Sequence, residues 1–198
     1  MPEVIIRRVG NGIYVRYGDL KLAVDRVSGL KADYHFISHA HWDHLPFRPS
    51  GEVLSSEETV ALAAKRGVKL RLRKPPRNVE LVDSGHILGS RSLLVDGDLL
   101  ITGDFCDRDR YFIKGFRPPS SRILVMEATY GDPRFTFPPL DKLIGASVSW
   151  MAEMLSEGRN VLIMCHPLGK AQLLSRILAW YDKIALSPEV FEYNETYR

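Results

Sequence analysis

The run His39-Ala40-His41-Trp42-Asp43-His44 places four metal-ligating side chains within six residues, in a 198-residue chain that holds six histidines. It follows the apolar stretch Tyr34–Ser38 and precedes Pro46, so it belongs on a loop at a strand end. In extended chain, residues two apart project to the same side. His39 and His41 can therefore share one ion, while Asp43 and His44 turn toward a second position. Zinc accepts imidazole and carboxylate together. A lone histidine is ordinary in a core; four ligand types at this spacing are not.

One loop cannot complete two metal sites, so other ligands must come from distant segments. His86 lies in Ser84-Gly85-His86-Ile87-Leu88-Gly89-Ser90, and Asp104 in Ile101-Thr102-Gly103-Asp104-Phe105, at the end of an apolar run. Taken singly, either could be a turn residue. A carboxylate has two oxygens and can bridge two cations, which an imidazole cannot. His35 reads as a strand side chain. Trp42, Phe105, Tyr111 and Phe112 lie near these residues in sequence; core packing is their expected role, with stacking on a base as the alternative.

These residues need a scaffold. Val4–Val9, Gly12–Tyr17 and Leu20–Asp25 are β-rich runs punctuated by Gly10-Asn11-Gly12 and Gly18-Asp19. Leu70–Arg73, Val79–Val82, Ser92–Val95 and Leu99–Thr102 return to strand character, and Glu57–Arg66 has helical composition. Ile123–Glu127 and Val161–Cys165 are continuous apolar runs, expected as buried strands. A proline-rich loop from Asp132 to Pro139 precedes an expected helix Leu140–Glu157, and Lys170–Tyr181 carries helical apolar spacing. Strands first and an αβα tail after them imply a mixed α/β protein.

At this point the sequence resembles a family. The H-x-H-x-D-H run, the later G-H-x-x-G-S and the strand-end T-G-D are similar to motifs of metallo-β-lactamase-fold hydrolases, in the order that fold uses. Asp25 resembles its first motif, a carboxylate that supports the histidine loop. Glu127-Ala128-Thr129-Tyr130-Gly131 and Leu168-Gly169-Lys170-Ala171-Gln172 resemble segments of the β-CASP branch, nucleases of RNA 3′-end processing and DNA repair. The resemblance implies an αββα sandwich. It implies one ion held by His39, His41 and His86, a second held by Asp43 and His44, Asp104 bridging, and a hydroxide between the ions. Asp43, Asp104 and Glu127 are then the catalytic candidates, and two zinc ions the expected cofactors, with manganese or iron also admissible. The branch carries a cap domain and two late histidines. Here residues 131–198 stand as a truncated or remodelled tail of a single domain, and the late histidine is His166, a second-site ligand or a loop residue before Pro167.

The two cysteines, Cys106 and Cys165, form no C-x-x-C pair, so neither a disulfide framework nor a thiolate zinc site is expected. The N-terminus lacks the apolar core of a signal peptide, and no apolar run is long enough to cross a bilayer, so a cytoplasmic protein without a membrane partner is expected. The net charge is only +3. Yet Lys65, Arg66, Lys69, Arg71, Arg73, Lys74 and Arg77 fall in one stretch with no acid among them, either a solvated face or a contact for RNA or single-stranded DNA. The leading expectation is a metal-dependent phosphodiesterase or nuclease. Alternatives are a hydrolase of small esters, thioesters or lactones, and a non-catalytic nucleic-acid-binding subunit. A homo-oligomer or a partner chain covering the site fits any of these.

Overall fold

The computed structural model describes residues 2–47 and 51–198, so Met1 of the N-terminal stretch read above lies outside the described residues. Strands β1 (Val4–Val9), β2 (Gly12–Tyr17) and β3 (Leu20–Val24) form an antiparallel meander through two tight turns. Strands β4 (Tyr34–Phe36), β5 (Glu52–Leu54) and β6 (Arg71–Leu72) add in parallel, giving a six-stranded sheet in chain order. A second sheet has the order β10-β9-β8-β7, built from β7 (Val79–Asp83), β8 (Arg91–Val95), β9 (Leu99–Ile101) and β10 (Ile123–Val125). Only β10 joins it in parallel.

The two sheets pack face to face. Val15, Tyr17, Leu22, Val24, Phe36 and Leu54 from the first meet Val79, Leu93, Val95, Leu99 and Ile101 from the second in one buried cluster. Each fully buried aliphatic or Phe side chain contributes about 1.5–3 kcal/mol, so this cluster is what holds the strand ends in place. Helix α1 (Glu57–Lys65) packs beside the first sheet, where Ala63 joins Val53, Ile37, Leu45, Val68 and Leu70. The helix starts because Ser56 caps it, its hydroxyl accepting from Thr59 N–H at 3.0 Å. Helix α2 (Leu140–Ser156) precedes α3 (Lys170–Ile177) and α4 (Pro188–Thr196). The mixed α/β class expected from the sequence is the class of the structure: two sheets and four helices.

The chain divides into two compact units, residues 1–127 with 167–198, and residues 128–166. Both sheets lie in the first. The second holds the proline-rich loop and α2, none of whose residues is buried. In its loop, Tyr130 meets Phe135 and Phe137 edge-on, at 5.4 and 5.0 Å between ring centroids.

Three expectations change. Val161–Cys165 is not a strand: Leu162 is 85% exposed and Met164 87%. An apolar run becomes a strand only where its backbone pairs with another, and among the described residues none of these five is in a strand or bridge. Ile123–Glu127 gives the short strand β10, but Leu124 and Met126 are exposed, because β10 is the last strand of its sheet. Lys170–Tyr181 is helical only to Ile177. Two elements went unread. Strand β5 is too short to display alternation. Helix α4 carried a legible start, Ser187-Pro188, with the Ser187 hydroxyl capping Val190 N–H and proline at the first position.

A candidate metal centre

Three segments bring candidate ligand atoms to the edge of the sandwich, the loops that carry residues 39–44, His86 and Asp104. The first is the loop after β4. His39, His41, His86 and Asp104 each offer one atom, and all four atoms lie within 4.8 Å of one another. His41 Nδ1 is 3.0 Å from His39 Nε2 and 3.2 Å from His86 Nε2. Asp104 Oδ2 is 3.8 Å from His39 Nε2 and 3.6 Å from His86 Nε2. A tetrahedral zinc with bonds of about 2.0–2.1 Å to nitrogen sets its donors about 3.3 Å apart, so this set fits one ion.

The partners of the outer ring nitrogens decide which inner nitrogens carry a lone pair. His41 Nε2 lies 3.2 Å from the Leu168 carbonyl, which can only accept, so Nε2 holds the proton and Nδ1 is free to ligate. His44 Nδ1 is 2.9 Å from Asp25 Oδ2, a carboxylate oxygen that accepts, so Nδ1 holds a proton and Nε2 is the nitrogen turned toward Asp104. His39 Nδ1 meets the Ser38 hydroxyl at 2.9 Å. This is how proteins orient metal-binding imidazoles.

His44 belongs to a second group. Its Nε2 is 3.5 Å from Asp104 Oδ1 and 3.7 Å from Asp43 Oδ2. Asp104 therefore turns one oxygen toward His39 and His86 and the other toward His44. Asp43, three-quarters exposed, stands on the solvent side.

The protonation pattern follows from burial and charge. Burial, aided by the other imidazoles, holds His39 well below its ordinary pKa; burial also lowers His41 and takes His86 down to about 3. These three stay neutral, the state in which an imidazole can take a metal ion. Burial lowers His44 too, but the hydrogen bond and charge of Asp25, with Asp104 and Asp43, outweigh it and raise it to about 9. Burial raises Asp104 to about 6, with His44 opposing and Glu127 adding. A half-buried carboxylate held this high gains from a cation beside it.

Asp25 sits in the left-handed region at φ 58, a conformation that ends β3 and turns its carboxylate inward. There Oδ1 accepts from Ser38 N–H at 2.8 Å while Oδ2 holds His44. One carboxylate thus fixes both the start of the histidine loop and its last ring. Asp25→Asn is expected to weaken metal binding about 10–100-fold with the fold intact, checked by competition titration with a chelator. Unchanged affinity would show that His44 is oriented by something else.

The His86 and Asp104 loops are held by residues that sequence reasoning passed over. The Ser90 hydroxyl accepts from the N–H groups of His86 and Ile87, both at 3.1 Å. Arg110 donates to the carbonyls of Gly85 and His86. The hydroxyls of Ser56 and Thr59 donate to the Gly89 carbonyl, tying the start of α1 to this loop. Gly103 is required: a Cβ there would lie 2.5 Å from Ser38 Cβ, so only glycine lets the Asp104 loop close on the His39 loop. Glu127 accepts from Phe105 N–H at 3.3 Å, holding the residue after Asp104. Ser90 was within the quoted G-H-x-x-G-S and could have been found as a turn residue; Arg110 carried no such mark.

Other candidates fall elsewhere. His166 lies in the unit 128–166 and is exposed. His35 is a buried strand side chain whose Nε2 donates to the Asp25 carbonyl at 2.6 Å. Lys65, Lys69, Arg71, Arg73, Lys74 and Arg77 are exposed, while Arg66 is half-buried. Core packing does not describe the aromatics well. Phe105 packs on Phe116, but Trp42 is 52% exposed, and Tyr111 and Phe112 are exposed too, because their loops leave the sandwich. Cys106 and Cys165 are free thiols. Among the described residues, no helix is long and apolar enough to cross a membrane.

No family profile matches the chain. It is 28% identical over 178 residues to a probable DNA ligase of Opitutus terrae, covering 82% of this chain and 17% of that protein. Transcription termination factor FttA of Methanothermobacter thermautotrophicus is 28% identical over 176 residues, 85% of this chain and 27% of the relative. The chain thus spans less than a third of these curated relatives. Among solved structures, a putative metal-dependent hydrolase from Parabacteroides distasonis has a TM-score of 0.36 at 17% identity, covering 56% of this chain and 70% of that one. Igni18, a metallo hydrolase from Ignicoccus hospitalis, has a TM-score of 0.37 at 16% identity, covering 52% and 63%.

Proposed function

We propose that the protein is a metal-dependent phosphodiesterase that cleaves RNA or single-stranded DNA with two divalent cations. The observation that carries this reading is the two-sided placement of Asp104, whose Oδ2 faces His39 and His86 and whose Oδ1 faces His44. His39, His41 and His86 would hold one cation, His44 and Asp43 the other, and Asp104 both. Bound there, the cations supply Lewis acidity and water activated near neutral pH. The chain's own residues hold this arrangement: Asp25 and the Leu168 carbonyl fix ring orientations, and Glu127 fixes the backbone beside Asp104. The names of the sequence relatives, a DNA ligase and a transcription termination factor, support a nucleic-acid substrate.

The basic run has two physical uses. Strand β6 is an edge strand, and its Arg71, with Arg73 beyond it, blunts that edge against pairing with another chain. The same exposed charges offer phosphate contacts of the kind whose affinity falls steeply with salt. The test is direct. Zinc- or manganese-loaded protein is given labelled single-stranded oligonucleotides, a small thioester and a lactone. Metal-dependent cleavage of the strands, with salt-dependent binding weakened by Arg71→Ala, Arg73→Ala and Lys74→Ala together, is the expected result. Fast thioester or lactone turnover without strand cleavage would replace this reading by small-ester hydrolysis. Binding without cleavage at any metal would make the chain a binding subunit.

A further inference from the structure

The metal-binding loop has an inner and an outer face. Inside, Ala40, Leu45 and Pro46 are buried. Outside, Trp42 is 52% exposed and Phe47 76% exposed, two large rings within six residues. Each ring carries an arginine. Arg66 lies over Trp42 at 5.8 Å, and Arg26 lies over Phe47 at 3.9 Å while donating to the Trp42 carbonyl at 3.4 Å. Neither guanidinium has a carboxylate within ion-pair distance among the described residues. Arg66 is also pinned from beneath by the buried ring of Tyr193, at 5.3 Å. Its Nε is buried without an acceptor among the described residues. Tyr193 itself packs with Ala40, the residue between His39 and His41.

These facts share one physical explanation. Exposing an indole and a phenyl forgoes burial that would stabilise the fold. Leaving Arg66 over Trp42 and Arg26 over Phe47 with no carboxylate partner among the described residues leaves two positive charges unneutralised on one face of the loop. Both costs are offset when an anionic, ring-bearing ligand lies across the loop. A single nucleic-acid strand has that chemistry: unpaired bases present π-faces to Trp42 and Phe47, and the phosphates between them meet Arg66 and Arg26. A duplex hides its base faces and cannot use the rings.

We infer that the loop bearing the metal ligands is itself the single-strand platform, with Trp42 and Phe47 stacking bases and Arg66 and Arg26 holding the flanking phosphates. Trp42 stands between His41 and Asp43, so a base stacked on it sets its phosphodiester beside the cations. The inference rests on the phosphodiesterase reading above and deepens it: the substrate is gripped at the metal loop, and the exposed basic run adds only diffuse charge.

Binding is measured by fluorescence anisotropy with labelled, phosphorothioate-linked dT12 and U12, an abasic 12-mer and a 12-base-pair duplex. Metal content is determined for every protein. The expected result is tighter binding of dT12 or U12 than of the abasic strand or duplex; the two single strands distinguish DNA from RNA as the source. Trp42→Ala should weaken single-strand binding about tenfold, within the range of one lost stacking contact, and leave the abasic strand unaffected. Arg66→Gln should weaken both. Trp42→Phe keeps a ring and should restore most of the affinity, which covers the case in which Trp42→Ala loses metal. Equal affinity of wild type, Trp42→Ala and Arg66→Gln for dT12 and U12, or a preference for duplex, overturns the platform while leaving the nuclease reading intact. A wild-type protein that neither binds nor cleaves any strand overturns the nuclease reading itself.

Discussion

Replacement of Asp104 by alanine is expected to remove at least one metal equivalent and to lower hydrolysis by at least about 10²–10³-fold, the loss that follows removal of a single charge-stabilising group. Asp104 turns its two oxygens toward different histidines, with His39 and His86 on one side and His44 on the other. Asp104→Asn keeps the shape and removes the charge, so it should fail nearly as badly. A second readout separates a functional loss from a folding defect. Burial raises the Asp104 pKa to about 6, which means the carboxylate is held at a cost in the absence of cations. Chelator-treated Asp104→Asn should therefore be at least as stable to urea as chelator-treated wild type. Full metal content and activity in either variant would sink the bridging role.

The second large effect is on pH stability of the chelator-treated protein. His39, His41 and His86 have depressed pKa values in the folded state, whereas in the unfolded chain they titrate near 6.5. Below that pH the unfolded chain binds more protons, so stability falls as pH falls. Asp104 works the other way between its folded value of about 6 and the ordinary carboxylate range, because there the folded state holds the extra proton. The net difference is up to about two protons, or about 2.7 kcal/mol per pH unit. His44 has a raised folded pKa of about 9, so its contribution is complete below 6.5 and is lost as pH rises from there toward 9. Stability should peak between about pH 6 and 7, with a steep acid limb and a shallower alkaline one. Urea midpoints from pH 4.5 to 9.5 measure this. A flat acid limb would mean that the three imidazoles are not held neutral, and with it the ligand geometry described here would fail.

Much of the site could be read from the chain because ligand chemistry is local in type. His39, His41, Asp43 and His44 are adjacent, and Asp25, His86 and Asp104 each follow a run of strand character that ends in a turn. Strand ends are where a sheet presents side chains to solvent, so residue type and position in the pattern pointed to the same atoms. Hairpin punctuation at Gly10-Asn11 and Gly18-Asp19 made the meander legible for the same reason: turn chemistry is a property of neighbours.

Tertiary structure decided what depends on distance in space. Which nitrogen of His41 faces the site is set by the carbonyl of Leu168, 127 residues along the chain. The closure of the Asp104 loop on the His39 loop needs the missing Cβ of Gly103 at the point where it meets Ser38. Trp42 is aromatic and apolar, and only the fold shows that it stands exposed with Arg66 over it while Ala40, Leu45 and Pro46 of the same loop are buried. Val161–Cys165 has the composition of a buried strand, yet burial requires a partner edge, and composition carries no information about one. The identity of the ligand-type residues was thus written in the sequence, because it follows from side-chain chemistry. Their tautomers, their division between two sides of Asp104 and the exposure of the rings beside them were settled by packing, because each depends on atoms that the chain brings together only when its two sheets close.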